Sequence, residues 1–145
     1  MGGYLVALQS GLLLLLAVLA AGRFMVASAP VEALLPAVAS VTLALWTLRH
    51  NRPGNFNIRP IPRQGGQLVL TGPYRWIRHP MYTSVLLGAG ALAWASDPVP
   101  GWLAWAALAA TLFVKAMLEE RLMCQTHPPY VAYMQVSKRF LPWLL

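Results

Sequence analysis

The sequence has 145 residues, of which 58% are hydrophobic and only 10% are charged, and its formal net charge is +7. An ordinary soluble domain carries about 25% charged residues, so this composition cannot supply the polar surface that folding in water requires. The basic residues lie between and after apolar runs, which favours lipid headgroups or an anionic ligand as partners over nucleic acid.

Four apolar segments are predicted to cross the membrane, since a spanning helix needs roughly 20 apolar residues. In chain order they are 3–22, 30–48, 81–96 and 100–118. The third is short, which predicts a tilted helix or one whose beginning is buried among its neighbours. A cleaved signal peptide is the alternative for the first segment, but no Lys or Arg precedes its apolar run, so we expect a spanning helix.

The distribution of basic residues predicts the orientation. The connection between the second and third segments and the tail after the fourth hold nine basic residues: Arg49, Arg52, Arg59, Arg63, Arg75, Arg78, Arg121, Lys138 and Arg139. Cytoplasmic loops are enriched in Lys and Arg, so this connection and the tail are predicted to face the cytoplasm. Four spans then place both termini inside, and we expect the protein to lie in the cell's inner membrane.

The connection 50–80 is rich in Pro and Gly, which excludes a regular helix. With about 30 residues it is too long for a passive connector in so small a protein. Irregular backbone near a bilayer must be buried in protein or line a wet cavity, so we expect this segment to line a site. After Pro128 and Pro129, the segment 130–139 is predicted to form an interfacial helix that folds back under the bundle.

These patterns predict an all-α integral membrane fold with about four transmembrane helices, a cytoplasm-facing loop that lines a site and a C-terminal interfacial helix. We expect a single membrane domain over 1–145. Within it, 1–48 would form an N-terminal helical hairpin, and 49–145 would form the core that contains the site.

Arg78, His79 and Pro80 stand where the long connection re-enters the membrane. Proline suits the first turn of a helix, and the free N–H groups of that turn, together with Arg78, would bind a carboxylate or a phosphate. The alternative interpretation is that Arg78 reaches toward lipid headgroups and His79 only lies at the interface.

Glu119 and Glu120 are half of the four acidic residues in the chain, and they lie at the inner end of the fourth segment. One interpretation is a solvated helix end with ion pairs to Lys115 and Arg121. The functional interpretation is that at least one glutamate projects toward the basic connection and binds an ammonium or a ribose hydroxyl group.

Several familiar chemistries have no motif in this sequence. It contains no H-E-x-x-H, no G-x-S-x-G and no P-loop. One cysteine, Cys124, and three scattered histidines predict no metal site. Because no Rossmann domain fits in the polar remainder, any nucleotide-like cofactor would have to bind in the membrane-embedded bundle itself.

Three pieces of the sequence together resemble a known family. The segment 72–82, GPYRWIRHPMY, is similar to the G-x-Y-x-x-x-R-H-P-x-Y motif of isoprenylcysteine carboxyl methyltransferases and their bacterial relatives. The segments 118–122 and 130–142 resemble the C-terminal block of that family. The G-x-G over 88–90, paired with the two glutamates, resembles the cofactor motifs of phosphatidylethanolamine N-methyltransferases in the same broad superfamily. The resemblance covers 50–145, and the chain resembles a small prokaryotic-type member of the superfamily. At 125–129 the sequence departs from the pattern of the family.

The resemblance implies an integral-membrane methyltransferase that uses S-adenosyl-L-methionine and methylates a lipid or another hydrophobic acceptor. It implies that the cytoplasm-facing loop is a cofactor loop and that 49–145 form a methyltransferase-like cofactor-binding core. It implies three catalytic residues: His79, Arg78 and Glu120. Lys115 corresponds weakly to a substrate-contacting arginine. The implied cofactor-binding residues are Gly66, Gln67, Leu68, Val69, Tyr74, His79, Pro80, Met81, Tyr82, Gly88, Gly90, Glu119 and Glu120.

Glycines 88 and 90 have a second interpretation, since small residues in membrane helices usually permit close packing of the helices. Two other functions also remain open. An NADPH-dependent membrane reductase of the sterol-reductase type shares a similar R-H-P-x-Y block, although such reductases have more spans. The second open function is that of a non-enzymatic accessory protein with the same fold. The expected partners are membrane lipids and a hydrophobic acceptor, with no nucleic acid and no metal, and a homodimer could form through the third segment.

Overall fold

The computed structural model describes residues 2–26, 30–51 and 68–142 of the chain. Within these ranges the regular elements are helical, and no strand is formed, so the predicted all-α membrane fold is confirmed. The α-helices are α1 (Gly2–Phe24), α2 (Leu34–His50), α3 (Pro80–Trp94), α4 (Pro98–Thr126) and α5 (Tyr130–Val136). Two short 3-10 turns, Val31–Ala33 and Gly72–Arg75, precede α2 and α3.

Among the described residues, three helices are long and apolar enough to cross a membrane: Gly2–Phe24, Val31–His50 and Pro98–Thr126. The α3 helix has 15 residues, or about 22 Å of helix, which is shorter than the ~30 Å hydrocarbon layer. The predicted count of four spans is therefore not confirmed. Pro80 fixes the start of α3, as its lack of an N–H group suits a first turn, and the helix ends at Trp94.

The short α3 helix lies at the centre of the bundle, where it contacts α1, α2 and α4. Its inward residues are small, which lets the neighbouring helices approach closely. Ala89 and Ala93 of α3 pack in one buried cluster with Leu16 of α1 and with Leu108 and Leu112 of α4. A helix surrounded in this way need not match the membrane thickness by itself.

The α4 helix has 29 residues and a length of about 43 Å, which exceeds the ~30 Å hydrocarbon layer. It is therefore long enough to span the layer with residues to spare. We call the end of the bundle where α2 ends, α3 begins and α4 ends the site end. The opposite end, near Phe24, Trp94 and Pro98, is the far end.

The helix predicted over 130–139 ends earlier, at Val136. Ser137 has extended backbone angles, and the residues after it pair with the segment before α3. The prediction was wrong at its C-terminal boundary because backbone hydrogen bonds to a distant segment replace those of the last helical turn.

Candidate functional site

The C-terminal tail is joined to the start of α3 by backbone hydrogen bonds. Ile77 and Lys138 form an isolated parallel bridge. The N–H of Arg78 donates to the carbonyl of Lys138 at 2.7 Å, and the N–H of His79 donates to the carbonyl of Arg139 at 3.1 Å. The Thr83 hydroxyl donates to the carbonyl of Phe140 at 2.8 Å. The tail thus holds the Arg-His-Pro segment at a fixed position on the bundle.

Glu120 is the centre of a buried ion cluster at the site end, and its side chain is 4% exposed. Its Oε1 accepts from Arg78 Nε at 2.8 Å, and its Oε2 accepts from Arg139 Nη2 at 2.6 Å. His79 Nε2 lies 3.2 Å from the same Oε1. A buried charge is tolerated when it is paired and hydrogen-bonded. This one carboxylate therefore links α4, the segment before α3 and the tail.

Arg78 has protein partners besides Glu120. Its Nη1 donates to the carbonyls of Met134, at 3.2 Å, and Ser137. These two carbonyls belong to the end of α5, where helix carbonyls lack partners within the helix and attract cations. The guanidinium thus joins the end of α5 to the ion cluster around Glu120, and its hydrogen-bond partners are groups of the protein itself.

His79 lies between the two glutamates. Its Nδ1 is 3.3 Å from Glu119 Oε2, and its Nε2 is 3.2 Å from Glu120 Oε1. The ring stacks on Tyr82, with centroids 5.3 Å apart and planes inclined by 4°, and its centroid is 6.0 Å from that of Phe140. The imidazole is therefore held by a carboxylate at each nitrogen, and its ring packs against the rings of Tyr82 and Phe140.

The protonation of His79 follows from these contacts. Burial opposes the charged form of the ring, but the hydrogen bonds and charges of Glu119 and Glu120 outweigh it, so the pKa of His79 is raised above 6.5. When both ring nitrogens face carboxylates, both can donate only if the imidazole is protonated. The site end accordingly favours an imidazolium at this position.

Glu119 differs from its neighbour Glu120 in its surroundings. Its side chain is 22% exposed, and its Oε2 lies 3.3 Å from His79 Nδ1. Glu119 is also hydrogen-bonded to Tyr82, and its charge attracts that of Lys115. Consecutive residues on a helix point in directions about 100° apart, so α4 can bury one glutamate in the arginine cluster and leave the next at its edge. Glu119 is thus the acidic group that remains accessible beside Tyr82 and His79.

The tyrosines of the site end remain protonated donors. Burial raises the pKa of Tyr74, of Tyr130 and of Tyr133, the last to about 12. The Tyr133 hydroxyl donates to the carbonyl of Tyr74, which holds α5 against the 3-10 turn Gly72–Arg75. This turn begins at Gly72, whose φ is +61°, and a Cβ there would lie 2.3 Å from the His50 ring, so only glycine fits.

The structure brings most of the predicted site residues together, namely Arg78, His79, Pro80, Met81, Tyr82, Glu119 and Glu120, with Tyr74 in the adjoining 3-10 turn. Leu68 and Val69 are half-buried and lie in backbone without regular secondary structure. Gly66 and Gln67 lie outside the described residues. Lys115 is buried, with its Nζ 2.6 Å from Gln9 Oε1 on α1 and 5.1 Å from the Tyr82 ring centroid. Its contact with a substrate stays a prediction.

Gly88 and Gly90 lie apart from this cluster, about 12 Å or more along α3 from Pro80. A Cβ at Gly88 would be 2.9 Å from Ser40 Oγ on α2, and one at Gly90 would be 3.4 Å from Trp105 Nε1 on α4. Gly88 thus permits a close contact with α2, which is its second interpretation, whereas a Cβ at Gly90 would make an ordinary van der Waals contact. Their role in binding a cofactor stays a prediction.

Sequence reasoning missed two members of the polar network. Arg139 supplies the second guanidinium on Glu120, and Gln9 supplies the partner of Lys115. The basic pair Lys138-Arg139 after a helix break was a usable signal for the first. For Gln9, the signal was a single amide in an otherwise apolar α1. Among residues 2–26, 30–51 and 68–142, no group of three or more His, Cys, Asp or Glu side chains could hold a metal ion.

Comparison with protein families matches residues 32–125 to the isoprenylcysteine carboxyl methyltransferase family. The match covers more than half of the chain, and the three apolar helices fit a membrane protein. The chain therefore belongs to this family of membrane methyltransferases, as its motifs indicated. A search of curated proteins found no match.

Proposed function

We propose that the protein is an S-adenosylmethionine-dependent methyltransferase that methylates a lipid or another hydrophobic acceptor at the cytoplasmic face of the membrane. The observation that carries the proposal is the arrangement of Glu119, His79 and Tyr82 at the start of α3. There an accessible carboxylate and a stacked pair of rings lie beside a cluster whose charged groups are paired with one another within the protein.

The chemistry of these groups fits S-adenosylmethionine. An accessible Glu119 suits an ammonium or a ribose hydroxyl, and the aromatic rings of Tyr82 and Tyr74 suit an adenine. The N–H groups in the first turn of α3 suit a carboxylate. When bound, the cofactor supplies a methyl group already activated by a positively charged sulfur. The protein then mainly has to align the two reactants and exclude water.

The contacts of the three predicted catalytic residues divide their roles. Glu120 and Arg78 neutralise each other within the protein, so we assign them to holding the site in shape. Protonated His79, bonded on both nitrogens, would orient Glu119 and not accept a proton. If the acceptor is an amine, Glu119 is then the group placed to take its proton, whereas a carboxylate acceptor needs no base.

The bilayer is the natural source of the acceptor. The site end joins membrane helices α3 and α4, so an apolar acceptor could enter laterally from the lipid while the cofactor enters from water. The basic residues of the connection and the tail support a cytoplasmic placement of this end, since that side is enriched in Lys and Arg.

Titration of the purified protein in detergent with S-adenosylhomocysteine tests the cofactor. Calorimetry should show saturable binding, and Glu119→Gln should weaken it about tenfold because a charged hydrogen bond is lost, corresponding to about 1.4 kcal/mol. Asp97→Asn, which removes a carboxylate at the far end, is the matched control and should bind like the wild type. Absence of binding at millimolar ligand would contradict the proposal, and preference for NADPH would favour the reductase.

Transfer of labelled methyl groups into a membrane extract tests the reaction. Labelled S-adenosylmethionine is incubated with the protein and extracted membrane lipids, and mass spectrometry then identifies the labelled product. The proposal expects label in an apolar product, with less label when Glu119→Gln replaces the wild type at a cofactor concentration below saturation. Cofactor binding without any labelled product in extracts of protein and lipid would favour the non-enzymatic accessory protein.

A further inference from the structure

The α1 helix, which lies outside the family match, contributes a polar side chain to the site end. Gln9 stands on the inward side of this helix, one turn before Leu12 and Leu13, which pack against the buried core. Its Oε1 accepts a hydrogen bond from Lys115 Nζ at 2.6 Å. Lys115 is buried and Gln9 is half-buried. A polar group removed from water costs free energy unless it is hydrogen-bonded, so each of these side chains stabilises the other in this position.

Lys115 and Glu119 are four residues apart on α4, a spacing at which opposite charges attract each other along a helix. Their charges do attract each other, but the closest contacts that the structure shows for the two groups go to different partners. The ammonium lies against Gln9 and 5.1 Å from the Tyr82 ring centroid, whereas Glu119 Oε2 lies 3.3 Å from His79 Nδ1. The amide of Gln9 therefore supplies Lys115 with an acceptor on the side of α1.

We propose that Gln9 is a positioning residue, which holds the Lys115 ammonium on the α1 side so that Glu119 remains the partner of His79. Its importance for catalysis rests on the proposed function, because Glu119 is the carboxylate assigned there to the cofactor. The N-terminal helix would then be part of the site and not only a membrane anchor.

The charged groups around His79 define what loss of Gln9 would do. Glu119 and Glu120 face the ring from α4, Tyr82 faces it from α3, and Phe140 faces it from the tail. Arg78 and Arg139 already engage Glu120. Without Gln9, Lys115 competes with His79 for Glu119. The imidazolium then loses part of its stabilisation, and His79 titrates at a lower pH.

NMR spectroscopy of the protein in detergent micelles, with isotope-labelled histidine and without any ligand, measures this titration directly as the pH is varied. His50→Gln and His127→Gln assign the signals. Gln9→Leu should lower the titration midpoint of His79 by about half a pH unit or more. Gln9→Glu retains the accepting oxygen and should keep the midpoint at or above that of the wild type. Ser10→Leu, on the exposed side of α1, should leave it unchanged.

The double variant Gln9→Leu, Lys115→Met separates positioning from a general loss of packing. Removing the competing ammonium should restore the His79 midpoint even without Gln9. An unchanged midpoint in Gln9→Leu, or equal shifts in Gln9→Leu and Gln9→Glu, would overturn the proposal. So would a double variant that titrates like Gln9→Leu alone.

Affinity for S-adenosylhomocysteine in the same variants links the positioning role to the site. Gln9→Leu should weaken binding about fivefold, and Gln9→Glu should stay within about twofold of the wild type. A wild-type protein that binds no S-adenosylhomocysteine would contradict the proposed function, while the His79 titration would still decide the role of Gln9. Normal binding together with an unshifted titration in Gln9→Leu would overturn the positioning role alone.

Discussion

The two ends of the bundle use charge in opposite ways. At the site end, one buried carboxylate, Glu120 of α4, contacts Arg78 and His79 in the segment before α3 and Arg139 in the tail. At the far end, Arg23 Nη1 and Asp97 Oδ1 form a single pair at 3.0 Å, with side chains that are 42% and 71% exposed. The ion cluster around Glu120 joins the segment before α3 and the tail, which share no helix or strand. The pair of Arg23 and Asp97 joins two helix ends that packing of the bundle already brings together.

Aromatic residues show the same contrast. At the far end, Trp102 lies edge-on to both Trp94 and Trp105, and two of these three rings are largely exposed, as is typical of an interfacial anchor. At the site end, Tyr82 stacks on His79 within the polar cluster. Trp46 and Trp76 are exposed at the site end as well, so what distinguishes this end is the aromatic pair held inside its polar cluster.

Removal of the central carboxylate should have the largest effect on stability. Glu120→Ala leaves Arg78 buried without its carboxylate, which typically costs about 3–5 kcal/mol. Thermal unfolding in detergent should show a midpoint lowered by on the order of 10 °C. Arg139→Met, which removes a more exposed partner, should cost less. A Glu120→Ala protein that melts like the wild type would show that the cluster does not hold the site end together.

The sequence predicts much of this contrast, because hydropathy and proline positions are local signals. The apolar runs locate α1, α2 and α4, and Pro80 marks the start of α3. The roles of Glu119 and Glu120 were not separable, since the orientation of neighbouring residues on a helix depends on what packs around them. The pairing of Ile77 with Lys138 was also hidden, because one parallel bridge between distant segments leaves no periodic pattern.

The pH dependence of the melting temperature should give the second-largest effect, and it should come from His79 at the site end. The pKa of His79 is raised in the folded protein, so its protonation stabilises the fold fully below 6.5, the ordinary value expected when unfolded. This contribution is lost as the pH rises through the folded value. The difference in melting temperature between wild type and His79→Gln should therefore be largest in acid and decrease in alkali.

Glu119→Gln serves as the control for this pH series. It removes a carboxylate that raises the pKa of His79, so substituting His79 in the Glu119→Gln background should give a smaller pH-dependent difference. A difference that grows with pH would mean that burial, which lowers the pKa of His79, outweighs both glutamates.

The exposed pair at the far end should give the smallest effect. Asp97→Asn removes the charge facing Arg23, but it keeps a residue type that can cap α4, which begins at Pro98. An exposed ion pair is worth about 0–1 kcal/mol, and salt screens it, so the melting temperature should fall slightly at low salt and not at high salt. A loss comparable to that of Glu120→Ala would make the far end a second structural centre. A negligible loss would confirm that stabilisation by charge is concentrated where the proposed cofactor site lies.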